Sequence, residues 1–147
     1  MKTPAMMVSF LALLCLVACG TAARGIVVPK PYQGVSPPSD DFLANLDNLV
    51  AGREIYSRHC ATCHGETGRG DGPAGNVDSL RPANLSSSMG VAQKPLDYWF
   101  WRVSEGGTAE PFHSQGSVMP AWKYHLSELE RWQVIAYTRT LHPAEAD

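Results

Sequence analysis

The chain is short of basic charge, of cysteine and of any long apolar run. Twelve Lys+Arg face fourteen Asp+Glu in 147 residues, a formal net charge of −2. No stretch gathers the concentrated basic face that nucleic acid requires, which excludes that class of partner. The longest apolar run, residues 6–18, falls short of the roughly 20 residues a membrane-spanning helix needs. There is no internal repeat. A zinc site would need a second Cys or Cys/His pair, and the only other cysteines, Cys15 and Cys19, lie in this N-terminal apolar stretch, which is expected to be processed.

What the chain does have is Cys60-Ala61-Thr62-Cys63-His64-Gly65. Two thiols three positions apart, followed at once by an imidazole, form the attachment signal for a c-type haem. Cys60 and Cys63 suit thioether bonds to the haem vinyl groups, and His64 is then held where its ring meets the iron from one side. A thioredoxin-type motif would want a strand before it and a βαβ pattern around it, and neither is visible. A structural disulfide remains compatible with the spacing alone. One motif implies one haem.

The N-terminus reads as an export signal, with Lys2 ahead of the apolar run. Leu16-Val17-Ala18-Cys19-Gly20 resembles the lipobox of bacterial lipoproteins. That resemblance implies cleavage before Cys19 and lipid on its sulfur, placing the protein on the periplasmic side of a bacterial membrane. Cleavage after Thr21-Ala22-Ala23, or retention of the segment as an anchor, are the alternatives. The expected division is a signal peptide at 1–18, a lipidated and Pro-rich linker at 19–40, and a haem domain at 41–147. Removing 1–18 leaves 147 − 18 = 129 residues with eleven basic and fourteen acidic side chains, a formal −3, so membrane attachment must come from lipid, not charge. Pro29, Pro31, Pro37 and Pro38 give the linker its composition, and it reads as a tether. The alternative is packing along the domain through Ile26, Val27, Val28 and Tyr32.

The remainder reads as all-α, three to five short helices with long loops around a cofactor. Residues 41–59 predict a helix whose apolar side includes Leu46, Leu49, Val50, Gly52, Ile55 and Tyr56. Within it, Leu49, Gly52, Tyr56 and Cys60 form one stripe. Residues 66–75 are turn-rich, and Pro82 forces an extended approach at 80–85. Residues 95–103 predict an aromatic helix ended by Gly106-Gly107, followed by a loop to Met119-Pro120-Ala121-Trp122. Ser127 and Glu130 form a capping box for a last helix, with Leu129, Trp132, Ile135 and Ala136 on one side and Val134, Tyr137 and Leu141 on another.

The iron's far side decides between carrier and enzyme. Met119 is the favoured second ligand, in a loop before Pro120; a thioether favours ferrous iron. His113 is the alternative, while Met89, His59, His125 and His142 have weaker contexts. The other nitrogen of His64 should donate to a backbone carbonyl, expected in the turn at 70–73. Trp99 or Trp101, and Arg81 or Arg102, are candidates to meet a haem propionate. Trp99, Phe100 and Trp101 would form a docking surface if exposed.

These pieces resemble a class I, single-haem c-type cytochrome. They are Gly52-x₃-Tyr56-x₃-Cys60-x₂-Cys63-His64-Gly65, Gly70-Asp71-Gly72-Pro73-Ala74, Met119-Pro120-Ala121-Trp122, and Leu126-Ser127 leading to Tyr137-x₃-Leu141. Among bacterial members the haem domains of cbb₃-type oxidase subunits are similar. The resemblance implies N- and C-terminal helices crossing near Gly52, Tyr56 and Tyr137, with His64 and Met119 on opposite haem faces. It implies one-electron transfer between redox protein partners, with no enzyme activity of the chain's own. The alternatives are a fixed haem subunit of a larger oxidoreductase complex, and a haem peroxidase or ligand binder with an open sixth position.

Overall fold

The computed structural model describes residues 25–75, 81–89 and 91–142. Cys19 and the expected signal segment lie outside the described residues. Among the described residues there are four α-helices: α1 Leu46–His59, α2 Ala61–His64, α3 Leu96–Glu105 and α4 Glu128–Arg139. Single 3₁₀ turns occupy Lys30–Tyr32, Gly106–Thr108 and Trp122–Tyr124, and there is no strand among the described residues. The fold is all-α. No helix among the described residues is long and apolar enough to cross a membrane.

α1 starts at Leu46, later than the pattern from residue 41 suggested, because the Asn45 side chain accepts from the N–H groups of Asp47 and Asn48. The residues before this cap form a turn that drops Phe42 into the core. Leu46 and Val50 are exposed, so the broad apolar side expected for α1 narrows to the stripe through Gly52 and Tyr56. A Cβ on Gly52 would collide with the Gln133 carbonyl of α4. Glycine is what lets the two backbones cross so closely. Beside the crossing, the Tyr56 and Tyr137 rings sit 5.4 Å apart.

α4 opens with the full capping box, Ser127 accepting from the Glu130 N–H and Glu130 accepting from the Ser127 N–H. It buries Trp132, Val134, Ile135, Ala136 and Thr138. Leu129, expected on a buried side, is half exposed in the first turn. Phe100 of α3 stacks on Trp132 at 4.4 Å, joining the third helix to the crossing. Burying a ring of this size contributes about 2–3 kcal/mol, so α3 and α4 hold by aromatic area more than by any polar pair. Tyr98, Trp99, Phe100 and Trp101 are all buried, which removes them as a docking surface.

The segment read as a tether rests on the domain from Tyr32 onward. The Tyr32 hydroxyl donates to Glu105, and its ring lies 6.3 Å from that of Phe100. The Gly34 N–H donates to Asp97 Oδ2 at 3.1 Å, and Val35 and Leu43 pack against the core. Pro31 sits in the Lys30–Tyr32 turn, and Pro37 and Pro38 restrict the backbone after it, so the chain lies along α3 at reduced entropic cost. Ile26 and Val27 ahead of it are exposed.

Candidate haem site

The His64 side is built almost wholly from backbone. α1 runs into α2 at Cys60, whose N–H donates to Tyr56 O at 2.8 Å. α2 is one turn long and leaves its carbonyls free, as any helix end does. The following loop folds back to meet them. The N–H groups of Gly70, Gly72 and Ala74 donate to the carbonyls of His64, Cys63 and Thr62 at 2.8, 3.2 and 2.8 Å. Gly72 must be glycine for this, since a Cβ there would lie 2.6 Å from the carbonyls of Ala61 and Thr62. The buried Tyr56 hydroxyl reaches across and donates to Gly65 O at 2.7 Å.

His64 Nδ1 lies 3.1 Å from Ala83 O. A carbonyl only accepts, so Nδ1 carries the proton and Nε2 keeps its lone pair for a metal. The acceptor was expected in the turn at 70–73, but there the N–H groups serve α2 and the carbonyl that meets the ring comes from the extended segment after Pro82. Gly70, at φ +76, packs against the Pro82 carbonyl and so brings that segment close. Burial lowers the His64 pKa; the Ala83 carbonyl opposes this and the Arg102 charge adds to it. The ring is neutral at pH 7, as a ligand must be.

Cys60 and Cys63 are both free thiols. Burial, and then the neighbouring Cys63, push the Cys60 thiol up to about 12. Redox-active Cys-x-x-Cys pairs work by the opposite shift, toward the thiolate. This environment does not suit dithiol exchange, and the disulfide reading has no support among the described residues.

The Met119 side is assembled from side chains and a long loop. The Gly107 N–H donates to Met119 O at 2.7 Å. Gly106 ends α3 at φ +54, where a Cβ would strike the carbonyls of Met119 and Pro120. Arg102 Nη2 donates to Met119 Sδ at 3.8 Å, a second N–H of the same guanidinium donates to Gly106 O, and its carbon sits 3.4 Å over the Phe112 ring centre. Arg102 thus touches Met119, and its charge also bears on the His64 ring. The sequence singled out Arg102 only as a propionate partner; nothing in the pattern marked it as a neighbour of the thioether.

The other candidates fall elsewhere. His113 is exposed and 3.6 Å from Glu110, Met89 is 72% exposed, and His125 is at the surface. His59 is exposed with its ring 5.2 Å from that of Trp122, and His142 lies edge-on to Trp99 at 6.5 Å. Arg81 is exposed. Trp99 Nε1 is buried without an acceptor among the described residues, whereas Trp101 has no such orphaned donor. A buried indole N–H normally finds a partner, and both ring nitrogens of the neighbouring His142 are likewise buried without one. Two thiols, a neutral imidazole with a free lone pair, a thioether and an unpartnered indole N–H together fit a covalently attached haem.

Comparison with known proteins agrees. The family described as cytochrome C oxidase, cbb3-type, subunit III matches residues 47–137. The cbb3-type cytochrome c oxidase subunit FixP of Azorhizobium caulinodans is 30% identical over 91 residues, 61% of this chain and 26% of FixP. The chain therefore spans about a quarter of that relative's length. The reducing HAO-like protein complex of Kuenenia stuttgartiensis contains a chain of similar fold, with TM-score 0.57 and 25% identity, covering 67% of this chain and 46% of that one. The chain belongs to the cbb3-type cytochrome c oxidase subunit III family, as a single-haem cytochrome c domain that carries covalently bound haem c.

Proposed function

We propose that the chain is a one-electron carrier. Its haem is attached through Cys60 and Cys63 and held axially by His64 and Met119, and it works from a lipid anchor at Cys19 on the periplasmic face of a bacterial membrane. The observation that best supports the site is His64 beside the Cys60 and Cys63 pair, whose Nδ1 on Ala83 O leaves Nε2 with its lone pair for iron. Bound haem supplies the one-electron couple. The chain does the rest. His64 is fixed in its ligating tautomer by Ala83 O. Trp99, Phe100 and Trp132 keep water from the core side, and the Trp99 indole is free to take a propionate. No general base or substrate pocket is required, which is why we read the chain as a carrier and not an enzyme.

The comparisons favour a second arrangement for the same chemistry. FixP is a subunit of an oxidase and the Kuenenia protein is part of a complex, which favours a domain wired to one redox partner over one that shuttles between two. Mild detergent extraction followed by co-purification separates these: a stoichiometric companion marks a subunit, its absence a shuttle. Ligation is tested by spectroscopy. Native ferric protein should show the weak far-red band of methionine-ligated haem, and Met119→Ala should lose it. Rapid binding of carbon monoxide or cyanide by the native protein would instead mark an open sixth position and a peroxidase-like or ligand-binding role.

A further inference from the structure

Arg102 is a half-buried cation with no carboxylate in ion-pair range among the described residues. Burial lowers its pKa, with Tyr98 opposing. A guanidinium held this way is costly unless its donors and its face are occupied. Two of its N–H groups and its face are occupied, and always by the same stretch of chain. One N–H meets Gly106 O where the Met loop leaves α3, another meets Met119 Sδ where the loop ends, and the face covers Phe112 midway. Arg102 therefore ties the start, middle and end of that loop to the last turn of α3.

From this clamp, and resting on the proposed ligation by Met119, we infer that Arg102 is a positioning residue that sets the haem potential. Its N–H orients the thioether sulfur, and its charge beside the Met face favours ferrous iron. The sign follows from charge. Reduction adds an electron to the iron, so a fixed cation in a half-buried setting stabilises the reduced state. A hydrogen bond to the sulfur draws density from the lone pair that ferric iron needs more, which acts in the same direction.

The test is potentiometric titration of the full-length holoprotein, with ferric far-red spectra, for native, Arg102→Gln and Arg102→Lys. Arg102→Gln should move the reduction equilibrium toward ferric about tenfold, which is about 59 mV for one electron, and should shift or weaken the far-red band. Arg102→Lys should recover most of the potential while leaving the band displaced, because a point charge lacks the planar fork. If Arg102→Gln fails to load haem, the displaced band in Arg102→Lys still carries the test. An unchanged potential overturns the inference. A lowered potential with an unmoved band also overturns it, placing the guanidinium on a haem carboxylate. A native protein without the band fails at the ligation by Met119, and the clamp fails with it; a native band that Arg102→Gln leaves intact defeats the clamp alone.

Discussion

The two sides of the haem site are built by different means. The His64 side is contiguous over residues 56–75 except for the Ala83 carbonyl on the ring, and its α2 carbonyls are met by backbone N–H groups of one turning loop. The Met119 side joins the end of α3, a long loop and the turn at Trp122–Tyr124. It is held largely by one side chain, Arg102, which reaches the sulfur, Gly106 O and the Phe112 face, with the Gly107 N–H on Met119 O. A covalent attachment point gains from rigidity supplied by the backbone. An axial thioether, in contrast, can be tuned by changing a side chain without unmaking the fold.

The sharpest way to break the first side lies outside it, at the crossing that aims α1. Gly52→Val places a branched side chain against the Gln133 carbonyl, which belongs to backbone and cannot swing away. Overpacking of this kind costs about 3 kcal/mol, so the urea midpoint should fall well below native. A native midpoint would show that the helices do not cross as described. On the second side, Gly106→Ala meets both a glycine-favouring φ of +54 and the carbonyls of Met119 and Pro120. The expected loss is about 2 kcal/mol. Its signature is a weakened far-red band with haem still covalently attached, whereas intact ligation would mean the loop is not held there.

Tyr56→Phe separates backbone from side-chain contributions on the His64 side. It leaves the buried Gly65 carbonyl without the 2.7 Å donor, at a cost of about 1–2 kcal/mol. Because the N–H groups of Gly70, Gly72 and Ala74 still close the loop, the haem potential should barely move while the melting temperature drops. A potential shift as large as that of Arg102→Gln would erase the contrast between the two sides.

How far the sequence foresaw each side follows from the same difference. Cys60, Cys63 and His64 are neighbours in the chain, so spacing alone joined them, and the stripe from Gly52 to Tyr56 foretold the crossing. The Ser127–Glu130 capping box was equally plain, because both its halves are local. The partner of His64 was misplaced, since Ala83 lies nineteen residues away and comes close only through the packing of Gly70 on Pro82. The contact of Arg102 with Met119 was invisible for the same reason: an arginine near a helix end looks solvated until the loop folds over it. The segment around Tyr32 misled by composition. Prolines that suggest a free linker also stiffen a strand of chain that lies flat on α3.

That strap gives the smallest effect. Burial alone would raise the Glu105 pKa, but hydrogen bonds from Lys123, at 2.9 Å, and from Tyr32 outweigh it and leave the carboxyl below its ordinary value. A carboxyl depressed on folding stabilises the fold above the unfolded value of about 4.3 and loses that contribution as pH falls through the lower folded value. Glu105→Gln should therefore destabilise by less than about 1 kcal/mol at pH 7, as partly exposed pairs do. Native and variant melting curves should converge as the pH falls below that lowered folded value, where the native carboxyl takes up its proton. The far-red band should be unchanged at every pH, because Arg102 and Gly107 hold Met119 without Glu105. A band that weakened in Glu105→Gln would instead make the strap part of the Met119 side, extending the side-chain-built half of the site to Tyr32.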